Sequence, residues 1–422
     1  MNPDSGLRPM ATVMATSIFA TTFVQLQSLG YLPFNHLLMT SMGLDSNRAA
    51  TFMSLAMLPW SFKAIAGLLV DGVPLFGSRR RNYLLLSALA AAVMWLLMGF
   101  YPGNYNLLLA LVLAMNVAIV LGSATAGGLQ VEAGQKFGMS GRLSSLRVFA
   151  QTSGNGLGLW LGGLLAGYAL GWTSAVAILA MACMFLCAWL LLREPAAALP
   201  AGGGDFPGKS IVKVVLNIWA QIKNVLRREM LLPAALVFFI QAVPTFRSTS
   251  LYEYQTKTLN YSDASLGLLQ FVGCGVSLLS TVIYAWWCRK ASLRASLYGA
   301  IFMTSLSALP YLFYGPYTPY MPRAMAIESI GTFFVYFAYL PLFDLMVRST
   351  PKGSEALGFS LLISVWNIGL MIGTKTGPML YDRVFNKNIH DVIWLNAGVT
   401  LAGMVIVFLL PGKLVAGREG AR

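Results

Sequence analysis

"PWSFKAIAGLLVDGVPLFGSRRRNY" (Pro59–Tyr83) sets one lysine among apolar residues, then an aspartate, then three consecutive arginines. Lys63 precedes Asp71 by about eight residues, roughly 12 Å along a helix at ~1.5 Å per residue. If this helix crosses a membrane, the ammonium lies near the bilayer midplane and the arginines lie at one edge. A charge at that depth costs at least ~2.5 kcal/mol on insertion scales, so it faces a cavity or a partner. Whether the stretch spans a membrane therefore decides both the fold and the meaning of Lys63.

The rest of the chain answers that it does. The 422 residues are 57% hydrophobic and 10% charged, with mean hydropathy +0.67. Soluble domains carry about 25% charged residues. Apolar runs near the ~20 residues of a bilayer crossing recur from end to end. Twelve are expected, near 11–41, 48–72, 82–101, 105–133, 142–170, 172–193, 230–256, 263–289, 294–314, 320–348, 354–381 and 390–411. No cleavable signal peptide is expected after "MNPDSGLRPM". The expected fold is an all-α integral membrane protein.

A net charge of +14 invites a nucleic-acid reading. Placement argues against it. With both termini in the cytoplasm, most of the 29 basic residues fall on the cytoplasmic side. Arg48, Lys257, Arg323, Arg383 and Lys387 fall outside, and Lys63, Arg247 and Lys375 fall within helices. This is the positive-inside pattern for an even number of spans. No nucleic-acid partner is expected; the partners are the lipid bilayer and a small solute. Cys183, Cys187, Cys274 and Cys288 read as small packing residues. A metal site needs more donors than His36 and His390 could add, and no cofactor is expected.

The stretch 194–229 divides the chain into a six-helix bundle over 1–193 and another over 230–422. It opens with Pro, Gly and Ala and continues as "IVKVVLNIWAQIKNVLRRE" (Ile211–Glu229), which suits an amphipathic helix on the inner membrane surface. "GGDFPGKS" (Gly203–Ser210) matches a phosphate-loop pattern. That loop needs a preceding strand and a surrounding α/β domain, and neither is present in the pattern. Lys209 reads instead as a contact for anionic lipid. The halves also echo each other. "GRLSSLRVFAQTSGN" (Gly141–Asn155) and "GSEALGFSLLISVWN" (Gly353–Asn367) run from Gly to Asn over the same interval on spans five and eleven.

Six spans, a long middle loop and six more spans resemble the layout of the major facilitator superfamily. Gly67-x-x-x-Asp71 followed by Arg79 and Arg80 resembles that superfamily's motif between spans two and three. The resemblance implies a cytoplasmic latch of Asp71, Arg79, Arg80 and Arg81, a buried ion-pair device that couples to packing. The opening stretch as a whole resembles the signature of the folate–biopterin transporter family, with Pro-Trp, an intramembrane Lys, Gly, Asp, Pro, Gly and paired Arg in order. "FVQLQSLG" (Phe23–Gly30), "VPTFRSTSLYEYQTKTLNYSDASLG" (Val243–Gly267) and "STPKGSEALGFSLLISVWNIG" (Ser349–Gly369) are similar to that family's first, seventh and eleventh spans. The chain departs from the pattern where the family has aspartates in span four, an aspartate in span seven and a proline after the lysine. Here "GSATAGGLQVEAG" (Gly122–Gly134) keeps only Glu132, span seven has Arg247, and Ala64 follows Lys63.

The intramembrane polar residues are the candidate site. Lys63 would bind an anion or pair with a carboxylate in the empty state. Arg247 offers a guanidinium suited to a carboxylate, with Glu253 or Glu328 as resting partner. Lys375 is a further cation that can reach the surface. Gln25, Gln241, Tyr252, Tyr254, Asn155 and Asn367 complete the substrate-binding candidates; the resemblance places spans one and seven on the cavity. Glu132, Glu328 and Glu355 are the proton-coupling candidates, because a carboxylate in a cavity can load and release a proton. Glu355 could also cap its helix. The expected function is secondary active transport of a folate-like, pterin-like or similar organic anion, proton-coupled or by exchange, by a monomer in a bacterial inner membrane. The alternatives are another solute, such as a muropeptide, siderophore or drug, or a non-transporting assembly factor. No catalytic set is legible, so no enzyme is expected.

Overall fold

The structure is a computed structural model that describes residues 4–44, 46–100, 103–193, 223, 228–261, 263–314 and 321–415. The amphipathic and phosphate-loop-like stretches of the middle loop, with Lys209, lie outside the described residues. Helices account for nearly all of the rest. Among the described residues the only strand-like pairing is one bridge between Leu75 and Ser78.

The helices are α1 (Asp4–Phe23), α2 (Tyr31–His36), α3 (Ser46–Ala56), α4 (Leu58–Ser61), α5 (Lys63–Gly72), α6 (Arg81–Phe100), α7 (Tyr105–Phe137), α8 (Ser140–Leu165) and α9 (Leu170–Leu191). After the middle loop come α10 (Arg228–Ala242), α11 (Phe246–Glu253), α12 (Asp263–Trp287), α13 (Leu293–Leu306), α14 (Met321–Ser349), α15 (Glu355–Met379) and α16 (Ile389–Leu409). Eight segments of the described chain are long and apolar enough to cross a membrane, among them Thr51–Gly72, Tyr105–Phe137 and Met321–Ser349.

The chain forms two compact units. One holds Met1–Phe137, Phe149–Leu226 and Thr350–Ser364; the other holds Gly138–Val148, Arg227–Ser349 and Val365–Arg422. In the first, α6 packs on α7 and α9, α1 packs on the same two helices, and α5 lies on α7. Its core centres on Trp95, which meets Phe34 edge-on at 6.0 Å. In the second, α12 and α13 pack on α14, and α13 and α10 pack on α16.

Each unit contains a helix interrupted midway. Turns at 24–30 separate α1 from α2, and turns at 243–245 separate α10 from α11. Pro244 disfavours helical geometry at Val243, so α10 stops at Ala242. Such breaks are tolerated in a bilayer only where their polar groups find partners. At the first break Leu29 N donates to Phe23 O at 3.1 Å, and Ser28 Oγ donates to Asn155 O at 3.2 Å. Small residues allow this close approach. Gly154, Gly158 and Gly162 of α8 line the first break, and a Cβ on Gly158 would collide with Ser28 Oγ. Gly369, Gly373 and Gly377 of α15 line the second, and a Cβ on Gly373 would collide with Thr245 Oγ1.

Candidate functional site

The quoted stretch ends its helix abruptly. Val73 is extended and Pro74 follows, so α5 stops at Gly72. Phe76 and Gly77 adopt positive φ (49° and 76°), which turns the chain back within a few residues. Tyr83 Oη donates to Leu69 O at 3.0 Å and to Val73 O at 2.6 Å, satisfying carbonyls at the end of α5. Arg79 donates to Asp71 O at 3.2 Å. The turn thereby delivers the next arginine beneath α5.

Arg80 is 1% exposed and meets three carboxylates of the first unit. It lies 2.8 Å from Asp71 Oδ1, 2.6 Å from Glu132 Oε1 on α7 and 3.6 Å from Glu355 Oε2 at the start of α15. Burial works against the guanidinium charge, but Glu132, Asp71 and Glu355 outweigh it and hold its pKa above the ordinary value. Asp71 uses its other oxygen to accept from Leu357 N at 2.7 Å. The carboxylate thus caps the N-terminus of α15, where the helix dipole favours negative charge. Glu355 accepts from Gly353 N in the turn ahead of α15 at 2.6 Å, and its other oxygen faces Arg80. Two glycines make the cluster possible. A Cβ on Gly67 would stand 2.5 Å from Ala356 O, and one on Gly128 would stand 2.8 Å from Arg80 Cζ. Arg81 takes no part and donates to Trp189 O of α9 at 3.1 Å.

Lys63 sits at a joint. Phe62 leaves helical geometry (φ −103°, ψ 20°), so α4 ends and α5 begins at the lysine. Its ammonium is buried, donates to Ser123 Oγ at 2.8 Å and lies 5.5 Å from the Trp60 ring. Trp60 Nε1 donates to Asn116 Oδ1 at 3.0 Å, and Asn116 donates to Ala56 O at 2.8 Å. Asn116 and Ser123 lie two turns apart on one face of α7. Ser123 meets the ammonium directly, and Asn116 holds the tryptophan beside it.

In the second unit Arg247 is buried on α11, its guanidinium carbon 4.2 Å from the centre of the Tyr311 ring. No ion pair to Arg247 occurs among the described residues. Tyr311 Oη donates to Glu328 Oε2 at 2.9 Å. The other oxygen of Glu328 accepts from Tyr314 Oη and from Gln255 Nε2, each at 3.2 Å. Tyr254 donates its hydroxyl to Tyr314 O at 2.9 Å. Sequence reasoning expected Glu253 or Glu328 as the partner of Arg247; the Tyr311 ring lies between Arg247 and Glu328. Glu253, Tyr252 and Lys375 have side chains outside the described residues. Gln241 is buried beside Tyr339, which meets Trp366 at 4.4 Å. Gln25 lies in the break after α1, and Asn155 and Asn367 are half-buried on α8 and α15.

The candidates therefore resolve into three places. Asp71, Arg80, Glu132 and Glu355 come together with Arg79 at their edge. Lys63 stands apart from them on Ser123. Arg247 and Glu328 share Tyr311. The sequence reading missed Ser123, Asn116, Tyr311, Tyr314 and Gln255. Asn116 and Ser123 could have been found by their seven-residue spacing on an otherwise apolar helix; the tyrosines carry no such signal.

Apolar helices long enough to span a membrane, with buried cations and a charged helix-end cluster, fit the major facilitator fold. Solved structures agree. The human organic anion transporter MFSD10 superposes with TM-score 0.69 at 13% identity, over 96% of this chain and 100% of that one. FucP in the outward conformation gives 0.69 at 13%, over 95% and 98%. At such identities the likeness speaks for the fold alone. Residues 26–417 match the BT1 family, and the chain belongs to it. Relatives include the folate-biopterin transporter of Synechocystis sp., 27% identical over 86% of this chain and 74% of that protein. Folate transporter 1 of Plasmodium falciparum is 23% identical over 84% and 70%. The protein is a secondary transporter.

Proposed function

We propose that this transporter moves a folate-like, pterin-like or similar organic anion by alternating access, coupled to protons. On this reading twelve spans form two six-helix bundles over 1–193 and 230–422, joined by a cytoplasmic linker, with both termini in the cytoplasm of a bacterium. The observation that carries the reading is Lys63: a buried cation at a helix joint, bedded on a serine hydroxyl and a tryptophan ring. Arg247, stacked on Tyr311, supplies a second cation, and the names of the relatives supply the substrate class. The Arg80 cluster is the latch that holds the cytoplasmic side closed. Asp71 keeps Leu357 N, and Arg80 keeps Glu355, only while the start of α15 stays in place.

Ligand-induced thermal stabilisation of the purified protein tests the site. Folate should raise the midpoint of the parent and leave that of Lys63→Ala unmoved, with both variants folded. Equal stabilisation of the two would remove Lys63 from the site.

A further inference from the structure

We propose that Tyr311 is the positioning residue that couples proton binding at Glu328 to anion binding at Arg247. The inference rests on the organic-anion reading above and names its coupling element. Tyr311 touches both charged groups with different parts of one side chain: its ring carries Arg247 at 4.2 Å, and its hydroxyl donates to Glu328 at 2.9 Å. A phenol that donates to a carboxylate gains electron density in its ring. The ring then attracts a cation more strongly, because that attraction is electrostatic.

Protonation adds a proton from water to one oxygen of Glu328 and removes its charge. Tyr311 loses its anionic acceptor, and its hold on Arg247 weakens. The guanidinium is then freer to take a carboxylate of the substrate. Coupling of this kind is reciprocal, so a bound anion favours the protonated acid by the same factor. When the substrate leaves, Arg247 returns to the ring and Glu328 gives its proton back to water.

Among the described residues bonded to Tyr311 and Tyr314, Glu328 is the one carboxylate. Tyr311, Tyr314, Tyr254 and Tyr261 are phenols, which ordinarily ionise near pH ~10, and Gln255 is neutral. Asp382, Arg383, His390 and Asp391 are exposed on neighbouring segments. Glu229 and Arg294 stand at the opposite ends of α10 and α13 from this cluster. The side chains of Glu253 and Asp263 lie outside the described residues.

The experiment measures folate binding to the purified full chain from acid to neutral pH, with uptake into proteoliposomes alongside. Binding by the parent should tighten about fivefold or more as the pH falls. Tyr311→Phe keeps the ring and loses the hydroxyl; its binding should change less than about twofold over the same range, with uptake no longer driven by an inward proton gradient. Glu328→Gln mimics the neutral acid and should bind tightly at every pH. It decides the matter if Tyr311→Phe does not fold. A Tyr311→Phe protein with the parent's full pH slope, or a Glu328→Gln protein that still titrates, overturns this inference alone. A parent that binds no organic anion at any pH overturns the functional reading and this inference with it.

Discussion

Replacing Asp71 with Asn should weaken the hold of α5 on the start of α15. Asparagine keeps an oxygen that can accept from Leu357 N, now 2.7 Å from Asp71. What it loses is the charge on that acceptor. Arg80 keeps Glu132 at 2.6 Å, so no buried charge is left unpaired. A hydrogen bond to a charged group contributes ~1.5–3 kcal/mol and a neutral one ~0.5–1.5 kcal/mol, so the contact weakens by about 1 kcal/mol. At tenfold per ~1.4 kcal/mol, the population in which the start of α15 has left α5 should rise roughly fivefold. Hydrogen exchange at the Leu357 amide can report it, because that amide donates across the contact. It should exchange about fivefold faster in Asp71→Asn. A folded Asp71→Asn protein whose Leu357 amide exchanges at the parent's rate would refute the clasp.

Three further outcomes follow from the same contacts. Gly67→Val should also speed exchange of the Leu357 amide, because even the Cβ of a new side chain would stand 2.5 Å from Ala356 O; an unchanged rate would show that α5 and α15 need not approach so closely. Tyr83→Phe should lower thermal stability by ~1 kcal/mol without changing substrate specificity, since Leu69 O and Val73 O lose one shared donor; a change in specificity measured by competition would assign Tyr83 another role. Gly373→Leu should destabilise the fold by ~1–3 kcal/mol through overpacking against Thr245 and Ala242, seen as a lower unfolding midpoint; an unchanged midpoint would mean that the break at 243–245 is not clasped by α15.

Much of the first unit could be read in advance. Lys63, Asp71 and Arg80 are rare charges in an apolar chain, and their spacing set Lys63 apart from the other two. The joint at Phe62 could not be read, because nothing in "WSFKA" distinguishes a bent helix from a straight one. Glu132 stood out as an intramembrane acid and was expected to carry protons; the structure places it on Arg80, 52 residues away in the chain, a pairing that periodicity does not encode. Glu355 suggested a proton carrier, a cap or a latch contact; it accepts from Gly353 N ahead of its helix and lies 3.6 Å from Arg80. The second unit was harder. Arg247 and Glu328 were each visible as charges, but Tyr311 is one of 17 tyrosines and only the packing singles it out. Gly-x-x-x-Gly spacing on α8 and α15 lies in plain view, yet its purpose depends on the breaks in the helices it faces.

Uptake by proteoliposomes tests the central claim most directly. Vesicles containing the parent should accumulate labelled folate above equilibrium when the proton gradient is inward, and Lys63→Met and Arg247→Gln vesicles should not. Parent vesicles that take up neither folate nor any other organic anion, with or without the gradient, would contradict the account.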